Sequence, residues 1–142
     1  MTGSETTYCW IDPDCAGLLT RVAPGTFDHA IDPDRLATYL ANPANWLGVA
    51  LRSDLVVAMV MGVVHTHPDK ETELFLDEIG TGDDWRRMGL ARGLIEFLFA
   101  RAKAEGIGTI WLATEPDNIA ARQLYEGFEH ARENAVIYYF DR

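Results

Sequence analysis

The chain is 142 residues long, 48% apolar and 11% aromatic, enough to fill one core and short for two, so one domain over 1–142 is expected. Its 22 acidic residues outnumber 12 basic ones, and the net charge of -10 argues against a general nucleic-acid binder and disfavours an anionic membrane surface as partner. The longest apolar run, Leu55 to Val64, falls far short of the roughly 20 residues that cross a bilayer.

Met1 to Thr7 is polar and carries Glu5, without the basic start and apolar centre of a secretory leader, so a cytoplasmic protein is expected. Tyr8 to Ile11 reads as a short strand. Asp12-Pro13 has the form of a helix cap followed by proline at the first helical position, predicting a helix through about Val22. Ala23 to Ile31, with Pro24-Gly25, is a loop. Asp32-Pro33 repeats the cap signal and opens a short helix to about Leu40. Trp46 to Leu51 and Leu55 to His65 are β-rich runs joined at Arg52-Ser53-Asp54, a hairpin pattern. Thr66 to Lys70 is a turn, and Glu73 to Thr81 a strand. Leu90, Leu94, Phe97 and Leu98 form one apolar stripe of a helix that ends by Gly106. Thr109 to Thr114 is a strand, Asn118 to Tyr125 a short helix and Val136 to Phe140 a closing strand. A helix between the strands at 73–81 and 109–114 makes that pair parallel, within a mixed α/β sheet.

Cys9 and Cys15 fit no common zinc or redox spacing and read as ordinary thiols in a reducing compartment. His65 and His67 are close, but without cysteines beside them no metal is expected. Charge is unevenly placed. Up to Trp85 there are fourteen acids and four bases; beyond it there are eight of each. An acidic surface aids solubility wherever it lies. A sharper reading puts a cationic ligand against the first half and an anionic one near Arg86.

The most informative segment is Ile79-Gly80-Thr81-Gly82-Asp83-Asp84-Trp85-Arg86-Arg87-Met88-Gly89-Leu90-Ala91, a strand running through a loop into a long helix. The first amides of a helix lack intrahelical acceptors and point outward with the positive end of the dipole behind them, a geometry that binds phosphate. Gly89 and Ala91 are small enough for a ligand to approach, and Arg86 and Arg87 add charge. No lysine–serine or lysine–threonine pair follows, which excludes a Walker loop, and no early G-x-G-x-x-G is present.

Arg86-x-x-Gly89-x-Ala91 resembles the pyrophosphate-binding motif of the GNAT superfamily of acyl-CoA-dependent N-acetyltransferases. Asn118-Ile119-Ala120-Ala121-Arg122-Gln123-Leu124-Tyr125-Glu126 resembles the family's later motif, N-x-x-A-x-x-L-Y-E. Within the superfamily, His67-Pro68-Asp69-Lys70, the run from Glu73 to Gly80, Trp85-Arg86-Arg87, Trp111 to Asn118 and the loop Val22 to Asp28 are most similar to aminoglycoside 3-N-acetyltransferases. One departure stands out. The family continues Tyr-Glu-x-x-Gly-Phe, whereas here Tyr125-Glu126 meets Gly127-Phe128 directly.

The resemblance implies a GNAT-like fold whose parallel strands splay around acetyl-CoA. Ile79 and Thr81 would pair with the pantetheine arm, and Arg86, Arg87, Met88, Gly89, Leu90 and Ala91 would hold the pyrophosphate. Asn118 would contact the arm, and Tyr125 would protonate the leaving thiolate. The reaction implied is acetyl transfer to an amine, which must lose its proton before attack. Glu78 is the candidate base. Asp77 takes the opposite face of a regular strand, and a bulge, if present, would change which of the two meets the cleft. Asp28, Asp77, Glu115 and Asp117 are candidate ligands for a cationic small-molecule amine, and a homodimer is compatible with this reading.

Overall fold

In the computed structural model, residues 5–142 are described; Met1–Ser4, part of the segment read as lacking a leader, lies outside the described residues. The chain divides into two compact units, Met1–Leu112 and Ala113–Arg142.

The first unit is a five-stranded sheet in sequential order: β1 (Thr6–Trp10), β2 (Asn45–Arg52), β3 (Leu55–His65), β4 (Glu73–Thr81) and β5 (Thr109–Trp111). Pairing is antiparallel through β4, and β5 runs parallel to β4. Helices α1 (Pro33–Ala41) and α2 (Leu90–Ala104) cover opposite faces. On the α1 face, Leu47, Val49, Leu51, Val56 and Met59 form a core with Ile11 and Leu19, and Leu36, Tyr39 and Leu40 pack onto it. On the α2 face, a Cβ at Gly62 would touch Leu74 and Leu98. Trp10 stacks on Phe97 at 4.7 Å, and the Arg101 guanidinium lies 4.0 Å from the Trp46 ring centre. These contacts fix α2, and with it the orientation of its leading amides.

Asp32 caps α1 by accepting from the amides of Asp34 and Arg35. Asp12 makes the same contacts to Asp14 and Cys15, but no α-helix follows. Cys15 has φ -113° and ψ 15°, and Pro13–Thr20 forms 3-10 turns rather than the helix to Val22 that the cap signal predicted. The short Gly17-containing run has too little apolar periodicity to extend the turns.

The second unit holds one helix, α3 (Ile119–Glu126). Glu126 pairs with Arg122 at 3.5 Å and with Arg132 at 3.0 Å, tying the following segment to the helix end. The predicted strand at Val136–Phe140 is absent. Tyr139 and Phe140 are each 83% exposed. β-branched and aromatic side chains favour a pleated surface, but a strand exists only through a ladder, and among the described residues none pairs with this run. Among the described residues no helix is long and apolar enough to cross a membrane.

Candidate active site

The centre of the first unit's site is an irregularity in β4. Met61 faces Glu78 across the β3–β4 ladder, and Gly62 faces Leu76, so Asp77 is bulged out of register. In a regular strand Glu78 would share a face with Leu74 and Leu76, under α2. The bulge turns it to the Met59–Met61 side, beneath α1. It also ends the parallel pairing. β5 meets β4 only from Glu73↔Thr109 to Phe75↔Trp111, and no strand among the described residues pairs with that side of β4 from Leu76 to Thr81. The strand predicted to reach Thr114 therefore stops at Trp111, because its partner has bent away.

A loop from the first half crosses β4 on the α1 face. The Thr26 side chain donates to the Ala23 carbonyl at 2.8 Å, and the Asp83 amide donates to the Pro24 carbonyl at 2.9 Å. A Cβ on Gly80 would run into the Thr26 carbonyl, so glycine is what allows the loop to lie this close. Two residues on, Asp28 reaches Glu78. Burial pushes the Glu78 carboxyl above its usual range; the Asp28 charge, a hydrogen bond with Asp28 and the Asp77 charge push it further, while His29 opposes them. The protonated Glu78 donates to Asp28, and the ionised one is repelled by both neighbours. Tyr39 of α1 belongs to the same cluster. Its hydroxyl donates to the Trp46 carbonyl at 3.0 Å, and burial together with the Asp77 and Glu78 charges raises its pKa.

Sequence reasoning found Asp28, Asp77 and Glu78 but not His29 or Tyr39. The only signal for Tyr39 was its place on the apolar stripe with Leu36 and Leu40. A cavity of about 1140 Å³ lies between Pro13–Thr20, the 23–31 loop and α1. It is mostly apolar and does not include Glu78. A smaller one, about 670 Å³, reaches His29, Tyr39 and Met61, the residue opposite Glu78. Both cavities border the acid cluster, the larger at Asp28 and His29 and the smaller at His29 and Tyr39.

On the far side of the bulge, β4 leads through Asp83–Trp85 to the head of α2. Gly89 is the cap of α2, with φ 76°, and nothing beyond its chain neighbours stands within 4 Å of a Cβ built on it. The glycine therefore serves a left-handed turn opening onto free space, rather than a position inside the helix. Arg87 is also left-handed, at φ 63°, an uncommon conformation for a side-chain-bearing residue. The first helical bond runs from the Gly93 amide to the Gly89 carbonyl, so the Leu90 and Ala91 amides precede it. Met88, Arg86 and Arg87 are exposed, and Arg86 pairs with Asp83 at 3.3 Å. Amides, cations and open space at the loop, together with the unpaired edge at Ile79 and Thr81, fit a phosphate group followed by an extended amide-bearing arm.

In the second unit, Asn118 is the cap of α3 rather than part of it. Its side-chain oxygen accepts from the Ala121 amide at 3.2 Å. Glu115 and Asp117 are exposed in the preceding turn. Tyr125 is half-buried, and burial raises its pKa, which keeps the phenol protonated at neutral pH. Gly127 ends the helix in right-handed geometry, directly after Glu126.

Residues 9–128 match the model of the acetyltransferase (GNAT) family. The chain is 39% identical to the [ribosomal protein bS18]-alanine N-acetyltransferase of Escherichia coli K12, over 46% of this chain and 57% of that protein. It thus spans little more than half the length of the curated relatives it matches. Among solved structures, an aminoglycoside acetyltransferase from an uncultured soil metagenomic sample superposes with TM-score 0.81 at 16% identity, covering 96% of this chain and 95% of that one. AAC(6')-Iy, solved with the bisubstrate analogue CoA-S-monomethyl-acetylneamine, superposes with TM-score 0.78 at 16% identity, covering 98% and 99%. These likenesses show the fold. The positional type named is 6', where the sequence resemblance suggested 3-N.

Proposed function

Because the chain belongs to the GNAT acetyltransferase family, whose acyl donor is acetyl-CoA, we propose that it acetylates an amine of a cationic small molecule, an aminoglycoside in the first instance. The observation that carries this reading is the grouping of Asp28, Asp77 and Glu78 at the β4 bulge. Three carboxyls in one place attract ammonium groups, and a cleft lined by one sign of charge concentrates the opposite sign.

The donor supplies an activated acetyl thioester. The exposed arginines Arg86 and Arg87 and the amides of Met88, Gly89, Leu90 and Ala91 would hold its pyrophosphate, with the edge of β4 at Ile79 and Thr81 along its arm. The Ile79 amide would polarise the thioester oxygen. Glu78 takes the proton from the substrate ammonium, directly or through a water. Its raised pKa brings a carboxylate closer to the working pH of a base. Asp28 and Asp77 hold the charge of the arriving amine, with Glu115 and Asp117 as further candidates. Tyr125 would return a proton to sulfur, and Asn118 would steady the arm. These two assignments rest on the N-x-x-A-x-x-L-Y-E resemblance. The match to residues 9–128 runs across both units, which supports a single acetyltransferase domain.

The second reading is a protein N-terminus as acceptor. It is favoured by the bS18-alanine N-acetyltransferase relatives and by the mostly apolar 1140 Å³ cavity, which suits a peptide side chain better than a sugar. Acetyl-CoA turnover is measured against 2-deoxystreptamine aminoglycosides, linear polyamines and peptides with a free N-terminal alanine, with product NMR to place the acetyl group. Turnover of an aminoglycoside that slows as salt rises, mainly through KM, is expected. Acetylation at the 3-amine agrees with the sequence resemblance, and at the 6'-amine with the likeness to AAC(6')-Iy. Activity on peptides alone overturns the aminoglycoside reading.

A further inference from the structure

At the end of the sheet away from the bulge, three potential metal ligands come together. His65 is the last residue of β3 and Glu73 the first of β4, and the two face each other in the ladder. The connecting segment returns His67 to the same place. Its ring centre lies 4.1 Å from that of His65, and its Nε2 stands 3.1 Å from Glu73 Oε1. One donor atom from each of the three side chains lies within 4.8 Å of the others.

We propose that His65, His67 and Glu73 form a binding site for one divalent transition-metal ion, with zinc the best chemical match. Two donors bonded to one zinc ion at tetrahedral angles stand about 3.3 Å apart, and the His67–Glu73 pair is already near that separation. Two imidazoles and a carboxylate suit zinc, cobalt, nickel or copper. Calcium and magnesium prefer all-oxygen sites. The scaffold is firm where it matters. Glu73 is held by His65 on one side and Thr109 on the other, and the His67 side chain is only 11% exposed. His65 is exposed and can turn to complete the set, leaving the remaining coordination position to water. The site would clip the seven-residue connection 66–72 to the sheet. It stands five residues from Glu78 along β4, roughly 16 Å at strand spacing, so it is separate from the proposed acetyl transfer and does not depend on it.

The spacing His-x-His alone did not suggest a metal, because the third ligand lies six residues beyond His67 and becomes a neighbour only when the hairpin closes. The test is zinc titration of tag-free, chelator-treated full-length protein by calorimetry, with cobalt absorption spectra to read the coordination. One ion per chain, four-coordinate cobalt bands and a higher Tm with zinc are expected. His65→Ala leaves the His67–Glu73 hydrogen bond in place, and Glu73→Gln keeps an oxygen acceptor. Each should weaken zinc binding by at least about tenfold, the scale on which even outer-shell changes act. Replacing the free Cys9 and Cys15 by serine should leave binding unchanged. No binding by the wild-type chain, undiminished binding in either ligand variant, or loss on cysteine replacement overturns the proposal and leaves His67–Glu73 as a hydrogen bond that pins the turn.

Discussion

The two sides of the β4 bulge solve different problems with different parts. On the α1 side, the chemistry comes from side chains that disfavour one another: Asp28, Asp77 and Glu78 crowd together, and Glu78 carries a raised pKa as the consequence. On the α2 side, the binding groups are mostly main chain: the amides at Leu90 and Ala91, the left-handed turn at Gly89 and the unpaired edge of β4. A side-chain site can be tuned by changing one residue and its neighbours. A main-chain site is set by conformation and is damaged by whatever alters shape.

The sharpest contrast should come from Glu78→Gln. Turnover falls by roughly 10²–10⁴-fold if the carboxylate is the base. The same change should raise Tm at neutral pH rather than lower it. A carboxyl whose folded pKa is raised costs nothing below its unfolded pKa, and its penalty grows to full size as pH rises through the folded value. Unchanged turnover, or a large drop in Tm, would break the picture of a strained base.

Gly89→Glu tests the opposite side. It puts bulk and negative charge into the space before α2 and forces a left-handed side chain at φ 76°. Affinity for acetyl-CoA should fall by more than about tenfold, the cost of opposing charge and strain together, while the amine KM stays put. Calorimetric titration with acetyl-CoA distinguishes this from general unfolding. An unaltered affinity would remove the loop from the cofactor site.

Asp28→Asn is subtler. It removes one neighbouring charge while burial and Asp77 remain, so the Glu78 pKa should drop part of the way toward its usual value. The acid limb of the kcat/KM profile then moves to lower pH, and the amine KM rises. A profile that does not move would mean that Asp28 acts on the substrate alone.

The smallest effect belongs to Asn118→Ala. Losing the cap contact to the Ala121 amide should cost about 1 kcal/mol, read as a modest fall in urea midpoint. A loss of acetyl-CoA affinity beyond that would restore the contact with the cofactor arm that the motif implied.

The same division explains what the sequence made legible. The run from Ile79 to Ala91 is contiguous, so a strand, a loop and a helix start could be read directly, and β4 occupies the predicted Glu73–Thr81. The acid cluster draws on positions 28, 39, 77 and 78. Asp28 and Glu78 become neighbours only because Gly80 lets the Thr26 carbonyl settle onto the sheet. No local pattern encodes that. The bulge at Asp77 was likewise invisible to alternation, since a run of nine strand residues reads the same with or without a slipped register. Capping failed to extend the helix after Asp12 because a cap satisfies the first amides but does not create an apolar face to bury.

The bulge has a consequence for handling the protein as well as for its chemistry. A sheet edge without a partner is a template on which another chain can add a strand. Among the described residues, β4 presents such an edge from Leu76 to Thr81, with the kink at Asp77 and the Asp77 and Glu78 carboxyls beside it. The residues that would receive the amine therefore also guard against edge-to-edge association. Variants that neutralise both should form dimers or larger aggregates at storage concentrations, visible by light scattering and reversed by acetyl-CoA. Low activity in such a double variant would report lost colloidal stability as well as lost catalysis.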